Sequence, residues 1–397
     1  MKTKRAVFLC IFLCVFLLCG CWNYRDLEDL NIMMGAAIDK NQENGEYKLT
    51  IEIINQAQSG GQSGGEGGQE EPKSPKSFLI EAEGHTVFDA VRNAVRQTGK
   101  RLFWGHCKGI IISQEIAREG ILTILDLFWR DAEIRPDIWI AVAGNAEAGD
   151  ILKAKTESGD PVSVILDNTL DAGESVSTFV KDELTPFVEK LSVKTNSVVA
   201  PAVYIKNEEG EPSPEIKGTA VFKEDKLKYF LDEEESQTAL LLMNQLKGGV
   251  LTLEENSTSQ PSEKMRISLE IYGSNVKIDP SFINGELTME IEAQLEAGVS
   301  ELAGSENYLD KEKRKELEKN IESILTNRIL DLVAKTQGLY SSDIFGFNNK
   351  VKRKMPDYWR SQEKNWDDIY RDLRIAPQVK VDLTLSSNTS KPITIGQ

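Results

Sequence analysis

Alternating polar and apolar residues predict several strands, because a period of two residues is typical of a strand with one buried face. This alternation occupies residues 47–53, 265–271, 287–295 and 379–385. The polar face of the last three favours antiparallel pairing. More apolar runs predict further strands at 32–38, 78–83, 102–113, 137–144 and 198–205. We expect 78–83 to pair with 47–54 across the glycine-rich stretch that separates them.

Helical periodicity alternates with these strands. Thr86-x-x-Asp89 resembles a capping box, and Val87, Phe88, Val91, Ala94 and Val95 follow on one helical face before Gly99. Other predicted helices cover 115–129, 146–153, 162–170, 175–191, 236–246 and 310–337, with Gly338 as the terminator of the last. A final helix from Pro356 carries an aromatic stripe that we expect to be core: Trp359, Trp366 and Tyr370, followed by Leu373.

The order of these elements predicts an α+β fold with largely antiparallel or mixed sheets, because strands bracket helices without a regular βαβ alternation. Polar stretches at 207–214 and 253–263 suggest boundaries. The predicted division is an N-terminal domain over 21–206 with a flexible Gly/Ser loop at 57–77, a small hairpin-plus-helix domain over 207–260, and a C-terminal domain over 261–397. The hairpin is expected to turn at Glu224-Asp225.

The first twenty residues predict an export signal. Lys2, Lys4 and Arg5 precede an apolar run over 6–18, which is too short to span a bilayer, since a spanning helix needs about 20 apolar residues. The sequence 18–21, Leu-Cys-Gly-Cys, resembles a bacterial lipobox. That resemblance implies cleavage after residue 20 and lipidation of Cys21, which would tether the body to the outer face of a membrane.

Two other interpretations of this segment are a plain cleaved signal and an uncleaved anchor. The first is disfavoured because no Ala-x-Ala lies near residue 20, and the second because a charged run follows at 25–29.

Composition excludes several classes of function. The chain has 397 residues and a net charge of −16, and removing Lys2, Lys4 and Arg5 with the signal changes −16 to −19. Such a charge argues against binding to nucleic acid and against a broad electrostatic attraction to anionic lipid headgroups. After cleavage and lipidation only Cys107 remains as a free cysteine, and there are two histidines, so we expect neither an internal disulfide nor a catalytic set, metal site or cofactor.

Several motifs, in order, resemble the Ger(x)C family, the C-subunit lipoproteins of spore germinant receptors. They are Cys-Trp-x-x-Arg-Asp-Leu-x-x-Leu at 21–30 with a strand ending in Ile-Asp, the Phe-Trp-Gly-His run at 103–106, Ala-Arg-x-Gly at 117–120, Arg-Asp-x-Glu-x-Arg at 130–135 and Asp-Ile-Phe-Gly-Phe at 343–347. The resemblance implies a similar three-domain fold, anchored by lipid at the outer face of the cell membrane or spore inner membrane. It also implies assembly with membrane-embedded A and B subunits, and with other germination proteins, in nutrient-triggered germination.

Arg130, Asp131, Glu133 and Arg135 alternate in sign, and two interpretations remain open. They form either a solvated, self-paired turn, which contributes little energy when exposed, or a surface that docks a partner. His106 and Cys107 are adjacent on a predicted strand and would face opposite sides, so His106 is expected to be a hydrogen-bonded structural residue rather than a catalytic base.

Two other functions are weighed against a receptor subunit. A solute-binding lipoprotein of a transporter needs two similar α/β lobes, and the pattern predicts neither lobe symmetry nor βα repeats. An exported hydrolase needs a nucleophile. The formal G-x-S-x-G match at 61–65 lacks the strand and helix that such a nucleophile requires on either side.

Overall fold

The computed structural model describes residues 29–55, 76–193, 195–208, 211–256, 264–303 and 311–384. The predicted signal peptide, the lipidation residue Cys21 and nearly all of the predicted loop 57–77 lie outside these ranges. No helix in the described ranges is long and apolar enough to cross a membrane. The mixed α and β content and the mixed sheets confirm the predicted fold class.

A nine-stranded mixed sheet forms the first unit. Its strands are β1 (Leu30–Lys40), β2 (Tyr47–Ile54), β3 (Ser77–Gly84), β4 (Arg101–Phe103), β5 (Gly109–Ile112), β6 (Trp139–Ala143), β7 (Val199–Glu208), β8 (Glu211–Lys223) and β9 (Lys226–Leu231). The order is β3-β2-β1-β5-β6-β7-β8-β9, with β4 beside β1. β1, β4, β5, β6 and β7 are parallel, whereas the outer pairs are antiparallel. The predicted pairing of β2 with β3 is confirmed.

Helices cover both faces of this sheet. One face packs against α1 (Val87–Thr98), α2 (Gln114–Glu119), α3 (Leu122–Arg130) and α7 (Leu184–Leu191). The other packs against α4 (Ala148–Lys153) and α5 (Val162–Asp171), and a short helix, α6 (Gly173–Val176), follows α5. Because neighbouring residues of a strand point to opposite faces, Ile140 of β6 enters one core and Trp139 the other.

Helix α1 confirms the predicted cap, since Asp89 N donates to Thr86 Oγ1 at 3.1 Å and Gly99 ends the helix in a left-handed conformation. Phe88 was expected on the buried face, but it is 49% exposed, and the guanidinium of Arg92 lies over its ring. Ala90 is buried instead, so the buried face of α1 is rotated toward Ala90 and away from Phe88.

The second unit is a four-stranded sheet in the order β10-β11-β12-β13, formed by β10 (Val250–Asn256), β11 (Lys264–Ile283), β12 (Glu286–Ala303) and β13 (Arg374–Thr384). β11 and β12 form a long hairpin that turns at Asn284-Gly285, where both residues have positive φ. β13 runs parallel to β12, so its predicted antiparallel pairing is wrong. The connection between them contains helices and permits the parallel direction.

Among the described residues, five α-helices belong to this second unit: α8 (Glu233–Leu242), α9 (Lys311–Tyr340), α10 (Phe347–Lys354), α11 (Pro356–Gln362) and α12 (Trp366–Arg371). Trp359, Trp366 and Tyr370 are buried, which confirms the aromatic stripe as core. Gly338 does not end α9, which continues to Tyr340 and stops at Ser341 with φ 49°.

The segment 207–260 is divided between the two units. β8 and β9 continue the first sheet, and their hairpin turns at the predicted Glu224-Asp225, whereas α8 and β10 pack in the second core. The strand pairing also crosses the predicted boundary at 207, since Asn207 of β7 is in register with Pro212 of β8. The predicted boundaries at 207 and 261 stay predictions, but the strands beside 207 belong to one sheet.

Three predicted elements are broken in the structure. The strand 102–113 is interrupted by a turn between β4 and β5, and helix 115–129 divides at Gly120. Residues 177–183 separate α6 from α7, so the predicted single helix over 175–191 is wrong. At each break a backbone N–H is satisfied by a residue far away in the sequence: Lys108 N donates to Met34 O at 2.7 Å, Ile121 N to Asp225 O at 3.0 Å and Val180 N to Thr219 Oγ1 at 3.0 Å.

Candidate functional site

The amino ends of the parallel strands define one edge of the first unit. Leu30 of β1 pairs with Arg101 of β4, and Gly109 of β5 pairs with both Gly35 and Trp139. The loops that precede β4, β5 and β6 therefore lie at the edge where the chain enters β1. We call this the entry edge. All four predicted docking residues lie on α3 or in the loop between α3 and β6, at this edge.

The four predicted docking residues do not form one ion-pair network. Arg130 Nε donates to Asp126 at 2.7 Å, and Glu133 pairs with Arg101. The carboxylate of Asp131 accepts from Glu133 N at 2.9 Å and so orders the turn.

Arg135 Nε donates to Asp137 at 2.9 Å. The hydrogen bond from Arg135 lowers the pKa of Asp137, and the hydrogen bond from Arg130 lowers the pKa of Asp126. The side chains of Arg130 and Arg135 are 75% and 60% exposed, so these pairs contribute little stability and their charges remain accessible.

A polar cleft of about 220 Å³ adjoins Arg135. Lys108 Nζ lies 2.7 Å from Asp167 Oδ2, and Lys181 Nζ lies 2.7 Å from Asp171 Oδ1. The cleft is lined by charged side chains of both signs and two neighbouring residues: His106, Cys107, Lys108, Arg135, Asp137, Asp167, Asp171, Lys181 and Glu183. The amino ends of β5 and β6 hold it in place, and its charges are largely paired within the chain.

His106 and Cys107 lie in the turn before β5 and not on a strand, so the expected opposition across a strand is wrong. His106 is exposed and meets the edge of the Phe103 ring at 5.9 Å between centroids. Cys107 is buried with Sγ 3.5 Å from the carbonyl of Gly109, and burial raises the pKa of its thiol to about 12. A protonated, buried thiol is a poor nucleophile.

An exposed apolar stripe on α3 was not recognised from the sequence. Leu122 and Trp129 are 55% and 50% exposed, whereas Ile124 and Phe128 are buried. Residues seven apart share a helical face, so Leu122 and Trp129 lie on the same side, and Trp129 is at the end of α3 beside Arg130. That spacing is the signal that could have revealed the stripe.

Buried carboxylates outside the helices cap three helices whose own N-cap residues make no side-chain hydrogen bond. Asp39 accepts from the backbone N–H groups of Ala148 and Gly149, both at 2.7 Å, at the start of α4. Burial raises the pKa of Asp39. A negative charge at a helix N-terminus satisfies free N–H groups and interacts favourably with the helix dipole.

The other two caps follow the same pattern. Glu52 accepts from Val162 N at 2.8 Å and Ser163 N at 2.9 Å at the start of α5. Asp343 accepts from Phe347 N at 3.0 Å and Asn348 N at 2.7 Å at the start of α10.

Asp343 also belongs to the junction between the two units. Its carboxylate accepts from Trp366 Nε1 at 3.2 Å, and burial raises its pKa to about 6. Asn348 Nδ2 donates across the junction to the carbonyl of Thr195 at 2.9 Å and to Asn196 Oδ1 at 2.8 Å. The motif at 343–347 therefore sets the start of α10 and, through it, a contact with the first unit.

Within the described part of the chain, no three or more His, Cys, Asp or Glu side chains are grouped so as to hold a metal ion. The arrangement at the entry edge consists of exposed, self-paired charges, an exposed tryptophan and a polar cleft. Such a surface is suited to contact with another macromolecule.

Comparison with known proteins gives matches along nearly the whole chain. Residues 23–205 match the family model "Spore germination protein N-terminal domain", and residues 217–387 match "Spore germination B3/GerAC like, C-terminal". Spore germination protein KC of Bacillus subtilis (strain 168) is 27% identical over 412 residues, which cover 96% of this chain and 94% of that protein. Spore germination protein B3 of the same organism is 25% identical over 377 residues, with 94% and 95% covered.

A solved structure shares the fold. The crystal structure of the GerBC protein aligns with a TM-score of 0.56 at 20% identity, covering 88% of this chain and 96% of that chain.

Proposed function

Because this chain belongs to the Ger(x)C family of spore germination proteins, we propose that it is the lipid-anchored C subunit of a nutrient germinant receptor. In this role it assembles with membrane-embedded A and B subunits at the spore inner membrane and is needed for the response to nutrients. It acts by binding these partners and catalyses no reaction. The two family-model matches, which together leave few residues uncovered, are the observation that carries the proposal.

The length of the proposed tether supports a body held close to the membrane. Cys21 precedes Leu30 by nine residues, which reach at most about 30 Å even when fully extended. Two or more acyl chains on one residue give stable anchoring, whereas one chain binds a membrane only marginally. With a mature charge of −19, the acyl chains and not a basic surface would supply the attachment.

The same geometry supports the entry edge as the surface that docks the A and B subunits. Leu30, where the tether ends, pairs with Arg101, and Arg101 pairs in turn with Glu133. The predicted docking residues therefore lie at the same edge as Leu30, where the proposed tether joins the folded body. Trp129 adds an exposed aromatic side chain of the kind that is enriched in interfaces.

The experiment compares sporulating cells that carry the natural chain, Cys21→Ala or the matched control Cys19→Ala. Cys19→Ala removes a neighbouring thiol and retains the residue proposed to be lipidated. We expect only Cys21→Ala to abolish acylation of the mature N-terminus in mass spectra and to be lost from the membrane fraction. The same variant should block germination by nutrients, while germination by agents other than nutrients persists. An unacylated natural chain, or a normal nutrient response from Cys21→Ala cells without a redundant relative, would refute the proposal.

A further inference from the structure

A second cavity of about 220 Å³ lies between the two units, away from the entry edge. The first unit contributes Val180, Asn196 and Ser197, and the remainder of the chain contributes Met243, Gln245 and Phe345, with Lys190 and Asp343 at its border. At about 30 Å³ for each water molecule, the volume corresponds to roughly seven waters, which is in the size range of a single sugar or polyol. Pockets between structural units are common sites for small molecules.

The charges around this cavity are compensated. Lys190 Nζ lies 2.7 Å from Oδ2 of Asp182, whose side chain is only 4% exposed. The carboxylate of Asp343 is occupied by the N–H groups of α10 and Trp366. A ligand with a net charge would therefore find no free countercharge here and would lose its hydration without compensation.

The remaining polar groups of the lining are amides and a hydroxyl. Asn196 Oδ1 accepts from the Nδ2 atoms of Asn348 and Asn349, at 2.8 and 3.3 Å, so the amide of Asn196 retains its donors. Gln245 is exposed at the cavity. Val180, Met243 and Phe345 supply apolar surface. Amides that both donate and accept, next to apolar surface, match a molecule whose hydroxyl groups do the same.

Ser197 gives a second, independent observation. It is 8% exposed, and its hydroxyl has no hydrogen-bond partner among the described residues. A buried hydroxyl without a partner is costly, and buried polar groups are normally satisfied by protein, water or ligand. A hydroxyl group of a molecule bound in the cavity would satisfy it after a rotation of the Ser197 side chain.

We propose that this cavity binds a small, uncharged, hydroxylated molecule of the sugar or polyol class. Such a molecule would contact Asn196 and Ser197 of the first unit and the segment 344–349 of the second at the same time. Its binding would therefore stabilise the present arrangement of the two units. The inference goes beyond the proposed receptor role and does not rest on it.

The test measures binding of D-glucose and myo-inositol to the full chain in detergent, by ligand-observed NMR and by the shift in melting temperature. L-glutamate and L-lysine, which carry a net negative and a net positive charge, serve as charged probes. We expect at least one uncharged probe to bind in the millimolar range and to raise the melting temperature, with no effect of the charged probes. Ser197→Ala should weaken binding roughly fivefold, the effect of one lost hydrogen bond.

Two further variants make the result specific to the cavity. Gln245→Ala should also weaken binding, because it removes an exposed amide from the lining. Ser163→Ala is the matched control, since Ser163 is likewise buried without a hydroxyl partner among the described residues but lies outside the cavity. Absence of binding by both uncharged probes, binding of the charged probes alone, or equal affinity of Ser197→Ala, Gln245→Ala and the natural chain would overturn the proposal.

Discussion

Replacing Asp343 by alanine should destabilise the chain to a degree that depends on pH. The substitution removes the acceptor of two backbone N–H groups, those of Phe347 and Asn348, and of Trp366 Nε1. A buried donor that loses its partner costs about 1–3 kcal/mol, so three donors correspond to roughly 6 kcal/mol before any relaxation. The alanine also removes a buried carboxylate. When that carboxylate is ionised, its removal adds to the free energy of unfolding, because a charged group is costly to bury.

The pKa of Asp343 gives the size and the sign of this gain. Burial raises the pKa from 3.8 to about 6, so the folded chain binds the proton more tightly than the unfolded chain. The contribution of this group to stability is therefore greatest at low pH and is lost as the pH rises from about 4 to about 6. The shift of about two units corresponds to about 3 kcal/mol. The net cost of Asp343→Ala should be about 3 kcal/mol near neutral pH and about 2 kcal/mol larger at about pH 4.5.

Denaturant unfolding of both chains at the two pH values, followed by tryptophan fluorescence, measures this difference. Trp366 donates to Asp343, and the Trp359 ring lies 5.4 Å from that of Trp366, so two of the chain's six tryptophans report on this site. Asp368→Ala is the control, because Asp368 is 76% exposed and pairs with Arg371 on the same helix, so we expect less than about 0.5 kcal/mol at either pH. A cost of Asp343→Ala that is equal at both pH values, or larger near neutrality, would refute the assignment of Asp343 as a desolvated carboxylate.

Two further predictions concern the first unit. At the entry edge, Trp129→Ala and Arg135→Glu should each change the melting temperature of the isolated chain by little but reduce its co-purification with the A and B subunits. Arg360→Glu, an equally exposed arginine in the second unit, should not, and equal retention of all three variants would argue against docking at this edge. Gly109→Ala should lower the free energy of unfolding by about 3 kcal/mol in denaturant unfolding, because its new methyl group would meet the ring of the buried Trp139. An unchanged free energy of unfolding would contradict this and show that the ring can move aside.

Local signals accounted for much of what the sequence predicted correctly. The cap at Thr86 and the left-handed Gly99 fix α1 from neighbouring residues alone. The aromatic stripe on α11 and α12 was recognised as core because its spacing is helical. The turn at Asn284-Gly285 also has a local signal, since Asn-Gly between two strands is a strong indication of a hairpin.

Helix α10 is an example of an element whose position the sequence alone does not predict. Its sequence is mostly polar, with Phe347, Asn348 and Val351 as its buried residues. Its start depends on Asp343 and its position on Thr195 and Asn196, more than 150 residues earlier in the chain. No local pattern in a polar octapeptide contains that information.

The sequence by itself determined the periodicity of the strands, the α+β class and the family, because each depends on residues that lie near one another in the chain or in fixed motifs. Only the tertiary structure decided the parallel direction of β13, the division of 207–260 between two units and the capping of α4 by Asp39, 109 residues away. These features are set by which segments meet in space. A carboxylate accepts hydrogen bonds from the N–H groups that the fold brings close to it. Its position in the sequence does not indicate which groups these are.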